Sequence, residues 1–474
     1  MLARRYESVV GLAKRPFMAR EESQMALVAF LQAQNCSNYV YSWRHPATMT
    51  DFTTPEYYQR IGRTLEDGKF DLAFFDDRLA LPDRYGDDYV EAVAHGIRVV
   101  KMDLVPVMAM IGAATSRIGI GGTYSTTYYE PFHVARTFAT LDLMLKGRAA
   151  WNVVTSLNDS EAANMGRDEG LPHDLRYDRA EEFMQVVHGH WDTWEDDAIL
   201  NDKNGFFADP SKVHQLDHRG DWFQSRGPFT VPRSPQGYPV IIQAGQSGRG
   251  RSFAARWSEL VFALYPNLEL AKQFYSDFKM QVAALGREPA HVKICPLVVT
   301  IVGDTRAIAE EKLGLIETLP KPIDGIVLLS EVLNFDFASK ELDEPFSDDE
   351  LASISGLQAI RDHVVSLSGK QNPTVRDFVN FSNRGNLREH PLFAGSPQDV
   401  ADGLEEWFEE EGCDGFVIAA THVPGAYEDF VRLVVPELQK RGLFRSDYTG
   451  TTLREHLGVP RPAIGSWKVS SRAG

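Results

Sequence analysis

Polar side chains that interrupt short apolar runs are where this chain could do chemistry. Asn152 stands in Trp151-Asn152-Val153-Val154-Thr155-Ser156, between apolar neighbours at the end of a strand-like run. An amide donates and accepts at once, which suits a flavin or pyrimidine edge; the alternative is an amide satisfied by backbone. Asp77 follows the run Asp71–Phe75, either as a carboxylate at a site edge or as a cap of the next helix. The segment Gln243-Ala244-Gly245-Gln246-Ser247-Gly248-Arg249-Gly250-Arg251 joins a strand-like run to a helical one. Backbone N–H groups, a serine hydroxyl and two arginines at such a junction suit a phosphate; an ordinary strand-to-helix turn is the alternative. Gly119-Ile120-Gly121 also offers a glycine pair, but Tyr124 takes the place of the third glycine and no helix opens there. The dinucleotide fingerprint is therefore not met.

The familiar catalytic sets are missing: there is no His-Glu-x-x-His, no Gly-x-Ser-x-Gly and no Walker loop. His188 and His190 are two apart in a helical pattern, so they face different ways, which argues against a metal pair. Cys36 has no neighbouring base in sequence and reads as a small buried residue. Tyr39, Tyr41, Trp43, Tyr124, Tyr128, Tyr129 and Phe132 crowd strand-end regions, where they serve as core or as walls of an apolar pocket.

The elements that must position these residues recur regularly. Strands are expected near Met25–Leu31, Asp71–Phe75, Ile118–Thr123, Ala149–Val154, Val240–Ala244, Leu260–Leu264, Lys293–Ile301 and Gly415–Ala420. They are short and apolar on both faces, as buried parallel strands should be. Helices are expected at Thr54–Asp67, with a Thr cap and Pro55 first, and at Pro131–Leu145, ending on Lys146-Gly147. Others are expected at His173–Trp191, at Leu268–Leu285 and from the cap Ser396 onward. Eight strands alternating with helices predict an α/β fold, a (β/α)8 TIM barrel, whose site lies on the loops after the strand C-termini. Residues 25–460 form that single domain, with an extension at 1–24 and a tail at 461–474. Two connections exceed ordinary loops. Residues 196–239 hold a hairpin around His218-Arg219-Gly220-Asp221. Residues 318–395 carry Pro320, Pro322, Pro345 and Pro373 and read as a mobile lid.

Composition narrows the partners. The chain has 474 residues, 49 Lys+Arg against 66 Asp+Glu, and a net charge of −17. Nucleic acid and anionic membrane surfaces need a basic footprint, so neither is expected. No apolar run reaches the ~18 residues of a membrane span. Cys36, Cys295 and Cys413 lie far apart, which fits neither a disulfide framework nor a metal site and suits a reducing cytoplasm. Glu7, Glu21 and Glu22 interrupt the basic N-terminus, so it does not read as a targeting signal.

Several segments together resemble one family. They are Tyr41-Ser42-Trp43-Arg44-His45-Pro46, Glu66-Asp67-Gly68-Lys69-Phe70-Asp71, Ser125-Thr126-Thr127-Tyr128, Gly147-Arg148-Ala149-Ala150-Trp151-Asn152-Val153-Val154-Thr155-Ser156 and His173-Asp174-Leu175-Arg176-Tyr177-Asp178. Gln243-Ala244-Gly245-Gln246-Ser247 and Val435-Pro436-Glu437-Leu438-Gln439-Lys440-Arg441-Gly442 complete the set. The chain resembles the nitrilotriacetate / dibenzothiophene-sulfone / long-chain-alkane monooxygenases, within the bacterial-luciferase-like flavin enzymes, a group that includes polychlorinated-aromatic monooxygenases.

The resemblance implies a homodimer or dimer of dimers and reduced FMN supplied by a separate NAD(P)H:flavin reductase. Molecular oxygen would be activated as a flavin C4a-(hydro)peroxide. It places Asp77 and Thr123 near the isoalloxazine, Asn152 on the ring, and Tyr177, Gln246 and Ser247 at the phosphate. No metal is implied. One departure concerns the substrate. Where relatives often carry a histidine before the Trp-Arg-His segment, Val40 stands here, which implies an apolar mouth beside Tyr39 and Tyr41, with His45 nearby. The preferred substrate is therefore hydrophobic, aromatic, halogenated or sulfur-containing. The alternatives are an aminopolycarboxylate chelate and a non-catalytic flavin-binding protein.

Overall fold

The computed structural model describes residues 24–468 except 157, 246, 247, 355 and 357. Among the described residues eleven strands occur in chain order: β1 Ala26–Gln32, β2 Leu72–Asp76, β3 Gly119–Ser125, β4 Ala149–Val154, β5 His218–Arg219, β6 Gln224–Ser225, β7 Val240–Gln243, β8 Leu260–Ala263, β9 Lys293–Val302, β10 Leu392–Gly395 and β11 Gly415–Ala419. The main sheet runs β11-β1-β2-β3-β4-β7-β8-β9 and closes, because β9 pairs with both β8 and β11. Every rung of this ring is parallel. The predicted eight-stranded barrel is therefore present. β10 adds to the C-terminal half of β9, from Leu392↔Val299 to Gly395↔Val302.

Two expected end signals work differently from the sequence reading. Pro55–Asp67 is helical, but the Thr54 hydroxyl donates back to Asp51 O at 2.8 Å instead of capping the helix. The Pro131 helix ends at Met144, and Lys146 and Gly147 then take φ of 57° and 84°. The left-handed turn lets Gly147 N reach Asp142 O at 2.8 Å. A Cβ on Gly147 would also sit 2.9 Å from Thr452 Cγ2. Ser396 does cap its helix, accepting from Asp399 N at 3.2 Å.

The two insertions differ in kind. In residues 196–239 the short hairpin β5–β6 pairs His218 with Ser225. Glu182, on the His173–Trp191 helix, holds it by accepting from His218 Nε2 (2.9 Å), Trp222 N (2.9 Å) and Phe223 N (2.8 Å). Residues 318–395 are largely helical, where the proline punctuation suggested an open loop. The helices Pro322–Leu333, Asp348–Ser353, Gln358–Ser368 and Val375–Phe381 enclose their own core, including Leu329, Leu333, Phe337, Phe346 and Phe378. Two ion pairs bind this insertion to the barrel: Arg44 to Asp324 at 2.6 and 2.9 Å, and Arg78 to Glu331 at 2.6 Å. Residues 461–468 fold back, with Trp467 Nε1 donating to Asp192 Oδ2 at 2.9 Å and Arg461 NH1 to Asp196 Oδ2 at 2.7 Å.

Candidate active site

Strand alternation builds the site. Side chains of one parity fill the barrel lumen: Val28 and Phe30, Leu72 and Phe74, Ala150, Ile242, Phe262, Leu297 and Val417 belong to one apolar cluster. On four neighbouring strands the next residue of the same parity toward the C-terminal end is polar: Gln32 on β1, Asp76 on β2, Thr123 on β3 and Asn152 on β4. Register places them side by side, since Gln32 pairs with Asp76 and Thr123 with Asn152. A polar arc thus lies on top of an aromatic lumen, at the end of the barrel where ligands bind.

The arc is only half satisfied from within. Thr123 Oγ1 donates to Phe75 O at 2.8 Å and accepts from Asn152 Nδ2 at 2.9 Å. This fixes the amide and leaves Asn152 Oδ1 buried with no hydrogen-bond partner among the described residues. Asp76 Oδ1 and both amide atoms of Gln32 are in the same condition. Unpaired buried polar atoms are costly, so a cluster of them facing one mouth indicates a ligand with its own alternating donors and acceptors. The edge of an isoalloxazine fits that description. Asp77, one residue past β2, accepts from its neighbour Arg78 N at 2.8 Å. Burial pushes its carboxyl up to about 7, with Lys101 opposing and the Asp76 and Asp103 carboxylates reinforcing the rise.

The expected phosphate end lies where β7 turns into the Gly248–Trp257 helix. The Tyr177 hydroxyl bonds to Thr155 and Gln243. A Cβ on Gly250 would come within 2.6 Å of that hydroxyl, so the helix can approach the tyrosine this closely only with glycine. Gln243 Oε1 accepts from Gly245 N. Gln246 and Ser247 lie outside the described residues. Of the two arginines that the sequence offered to a phosphate, Arg249 pairs with Asp178, and Arg251 lies 5.0 Å over the Phe274 ring with its Nε lacking a partner among the described residues. The buried cation beside Tyr177 is instead Arg176, whose Nε has no partner among the described residues.

The substrate-side candidates separate. Tyr39 and Tyr41 join the lumen cluster, with ring centroids 5.7 Å apart. Val40, between them, packs the other way, in a cluster with Cys36, Ala92, Ile97, Val327 and Leu328. His45 stacks on His422, just after β11, at 3.8 Å and 12°. Burial holds both imidazoles below their usual range, His422 at about 4. Outside the mouth is a cavity of about 250 Å³, lined by Asp83, Arg84, Asp87, Asp159, Asp168 and Glu331 among others, where the helical insertion meets the loops after β2 and β4.

Sequence reasoning reached Thr123 and Asn152 but missed Gln32, Asp76 and Arg176. The usable signal was parity: each of the first two continues the lumen face by one residue beyond the expected strand end. Arg176 stood in the quoted segment beside Tyr177.

Known proteins match the chain along most of its length. The model of the luciferase-like monooxygenase family matches residues 37–415. A dibenzothiophene-sulfone monooxygenase of Rhodococcus erythropolis is 43% identical over 457 residues, 94% of this chain and 98% of that one. Nitrilotriacetate monooxygenase component A of Aminobacter aminovorans is 40% identical, covering 89% and 93%. A crystal structure of a riboflavin lyase, with modified FMN and its substrate riboflavin, superposes with a TM-score of 0.84 at 30% identity, covering 92% of this chain and 96% of that one. The chain belongs to the luciferase-like monooxygenase family.

Proposed function

We propose that this protein is the oxygenating component of a two-component system, using reduced FMN from a separate NAD(P)H:flavin reductase and molecular oxygen. The observation that carries the reading is the arc of Gln32, Asp76 and Asn152, whose unpaired buried atoms face the mouth of an aromatic lumen. Bound reduced flavin supplies the activation of oxygen at its C4a position. The chain's own residues bind and orient. Thr123 holds the Asn152 amide toward the ring, Gln32 and Asp76 meet the ring edge beside Asp77, and Tyr177, Gln246 and Ser247, with Arg176, take the phosphate. The lumen aromatics Phe30, Phe74 and Phe262 keep water away from the reacting position. Tyr39, Tyr41 and His45 border the substrate, and Val40 backs them.

The substrate class is a hydrophobic aromatic or sulfur-containing compound. An aminopolycarboxylate would meet carboxylates in the outer cavity, Asp83, Asp87, Asp159 and Asp168 against Arg84, with Glu331 already paired to Arg78, and like charges disfavour entry. The test is an anaerobic titration with reduced FMN, followed by turnover with a generic flavin reductase under ¹⁸O-labelled oxygen. Saturable binding and a singly labelled product support the reading. Reduced-flavin binding without any labelled product from an aromatic and organosulfur panel leaves a flavin-binding protein. No binding ends the proposal.

A further inference from the structure

Lys101 stands against the mouth arc and is held there by a neutral partner. Past the end of β1 the chain continues through Ala33 and Gln34, and residues 101–102 run antiparallel to them. Gln34 and Lys101 form a bridge, and Met102 N donates to Ala33 O at 3.0 Å. Gln34 is buried, and its Oε1 accepts from Lys101 Nζ at 3.0 Å. Its Nε2 donates to Ser37 O at 3.3 Å and to Cys36 Sγ at 3.4 Å. The amide is thus fixed, and it fixes the ammonium two residues beyond Gln32, the first member of the arc. An ammonium has three donors. Among the described residues Lys101 makes no second hydrogen bond and no ion pair.

The charges that reach Lys101 show what it faces. Burial pushes its ammonium below the ordinary value; Asp76 opposes that most strongly, Arg98 adds to the fall, and Glu331 and Asp77 resist it. Of these carboxylates, Glu331 pairs with Arg78, and Asp77 accepts from Arg78 N. Asp76 Oδ1 has no partner among the described residues. Charges withdrawn from water are ordinarily paired. Here a donor and an acceptor stand apart on one edge of the mouth, which matches a ring edge that accepts from the first and donates to the second.

Resting on the flavin reading above, we propose that Lys101 is a further flavin-binding residue, donating to the isoalloxazine edge beside Asp76, and that its charge makes the site prefer reduced FMN to oxidised FMN. Reduction adds two electrons to the ring and makes its edge the stronger acceptor. A cation held there favours the reduced form, the more so away from bulk water. An oxygenating component that takes its flavin from a separate reductase needs that preference, because oxidised FMN competes for the same site.

The test uses the full-length protein and the cofactor itself. Oxidised FMN is titrated in air, reduced FMN anaerobically, and the midpoint potential of bound FMN is measured against reference dyes. The wild type is expected to bind reduced FMN about tenfold tighter or more. Lys101→Met keeps the length of the side chain and removes the charge. It should weaken reduced-FMN binding about tenfold and leave oxidised-FMN binding within about twofold. The bound potential should then fall by about 30 mV, the two-electron equivalent of that tenfold ratio. Lys101→Arg restores a cation and should recover most of the potential. The potential is read only on molecules that hold flavin, so a destabilised variant still reports. Equal losses of both affinities with an unmoved potential would make Lys101 a structural prop and overturn the proposal. So would unchanged affinities in Lys101→Met, or a wild type that binds both forms alike. A wild type that binds neither form removes the flavin reading itself, a failure seen before any substitution is made.

Discussion

The two ends of the barrel treat their buried carboxylates differently. At the N-terminal floor, three acidic side chains clamp the starts of strands and each pairs with a cation, although Gln236 Oε1 and His456 Nδ1 there keep no partner among the described residues. Asp71 Oδ2 accepts from Leu27 N at 2.8 Å while Arg445 bonds its other oxygen. Glu259 accepts from Ile241 N at 2.8 Å and Arg454 at 3.0 Å. Asp414 accepts from Ile294 N at 2.9 Å and Lys279 at 2.8 Å. Arg148, also at the floor, donates to five acceptors from Gly112 to Leu145. At the mouth, Gln32, Asp76 and Asn152 each keep a buried atom with no partner among the described residues. The floor's paired carboxylates hold strand register, and the mouth's buried polar atoms lie where this architecture places ligands.

The largest expected effect breaks the floor. Asp71→Ala removes a fully buried carboxylate and leaves Arg445 and Leu27 N–H without it. Loss of one partner from a buried pair costs about 3–5 kcal/mol. Urea denaturation should show that loss, while reduced-FMN affinity per folded molecule stays unchanged. A milder loss, or a selective loss of flavin binding, would mean that the two ends are not separable.

The ends should also differ in pH response. His188, in the field of the floor charges Glu259 and Arg454, is held by burial at about 4, below its ordinary 6.5. Between those values the unfolded chain takes up a proton that the folded chain refuses. Stability is therefore complete above about pH 6.5 and is lost as pH falls toward 4, by up to about 3 kcal/mol. Asp77 at the mouth is raised from 3.8 to about 7, so the folded chain holds the extra proton and stability declines as pH rises across that window. Melting curves of His188→Gln should be flatter on the acid side, and those of Asp77→Asn flatter toward neutral pH. The reverse assignment would refute the contrast.

A third effect, of about 1–2 kcal/mol, concerns the mouth alone. Asn152→Leu removes the Oδ1 that lacks a partner together with the Nδ2 bond to Thr123, so the two changes offset and the ligand-free protein should change little in stability, whereas reduced-FMN binding should weaken about tenfold. A destabilised protein with wild-type flavin affinity would return Asn152 to the class of internally satisfied residues.

How far the sequence revealed this division depends on which physical signals are local. All eight barrel strands were legible because each is an apolar run buried on both faces. Asn152 was legible because an amide inside such a run is conspicuous. Gln32 and Asp76 were not, because they close their strands: an apolar pattern stops one residue before the polar lumen position, and only barrel parity shows that the strand continues. The helical insertion was read as a loop because prolines interrupt its periodicity, and its core of Leu333, Phe346 and Phe378 is assembled from separated segments. The Thr54 cap failed for a related reason, since a hydroxyl has a choice of neighbouring partners and sequence does not show which it takes.

The smallest effect sharpens the contrast most, because Thr123 belongs to both habits at once. It sits in the mouth arc, yet its hydroxyl is fully used, donating to Phe75 O and accepting from Asn152 Nδ2. If its role is to aim the amide, Thr123→Val keeps the shape, frees Asn152 to rotate and should weaken reduced-FMN binding only about threefold, since restoring one rotamer costs a fraction of a hydrogen bond. The same variant should lose about 1 kcal/mol of stability through its two deleted bonds, a larger penalty than that of Asn152→Leu, which deletes only the bond they share. Thr123→Ser keeps the oxygen and should recover both quantities. Combining Thr123→Val with Asn152→Leu should then cost no more flavin affinity than Asn152→Leu alone, because a residue that acts through the amide has nothing left to aim. Additive losses in the double variant would place the Thr123 hydroxyl in direct contact with the flavin, and the boundary between the satisfied and the reserved parts of the barrel would then lie one strand position lower.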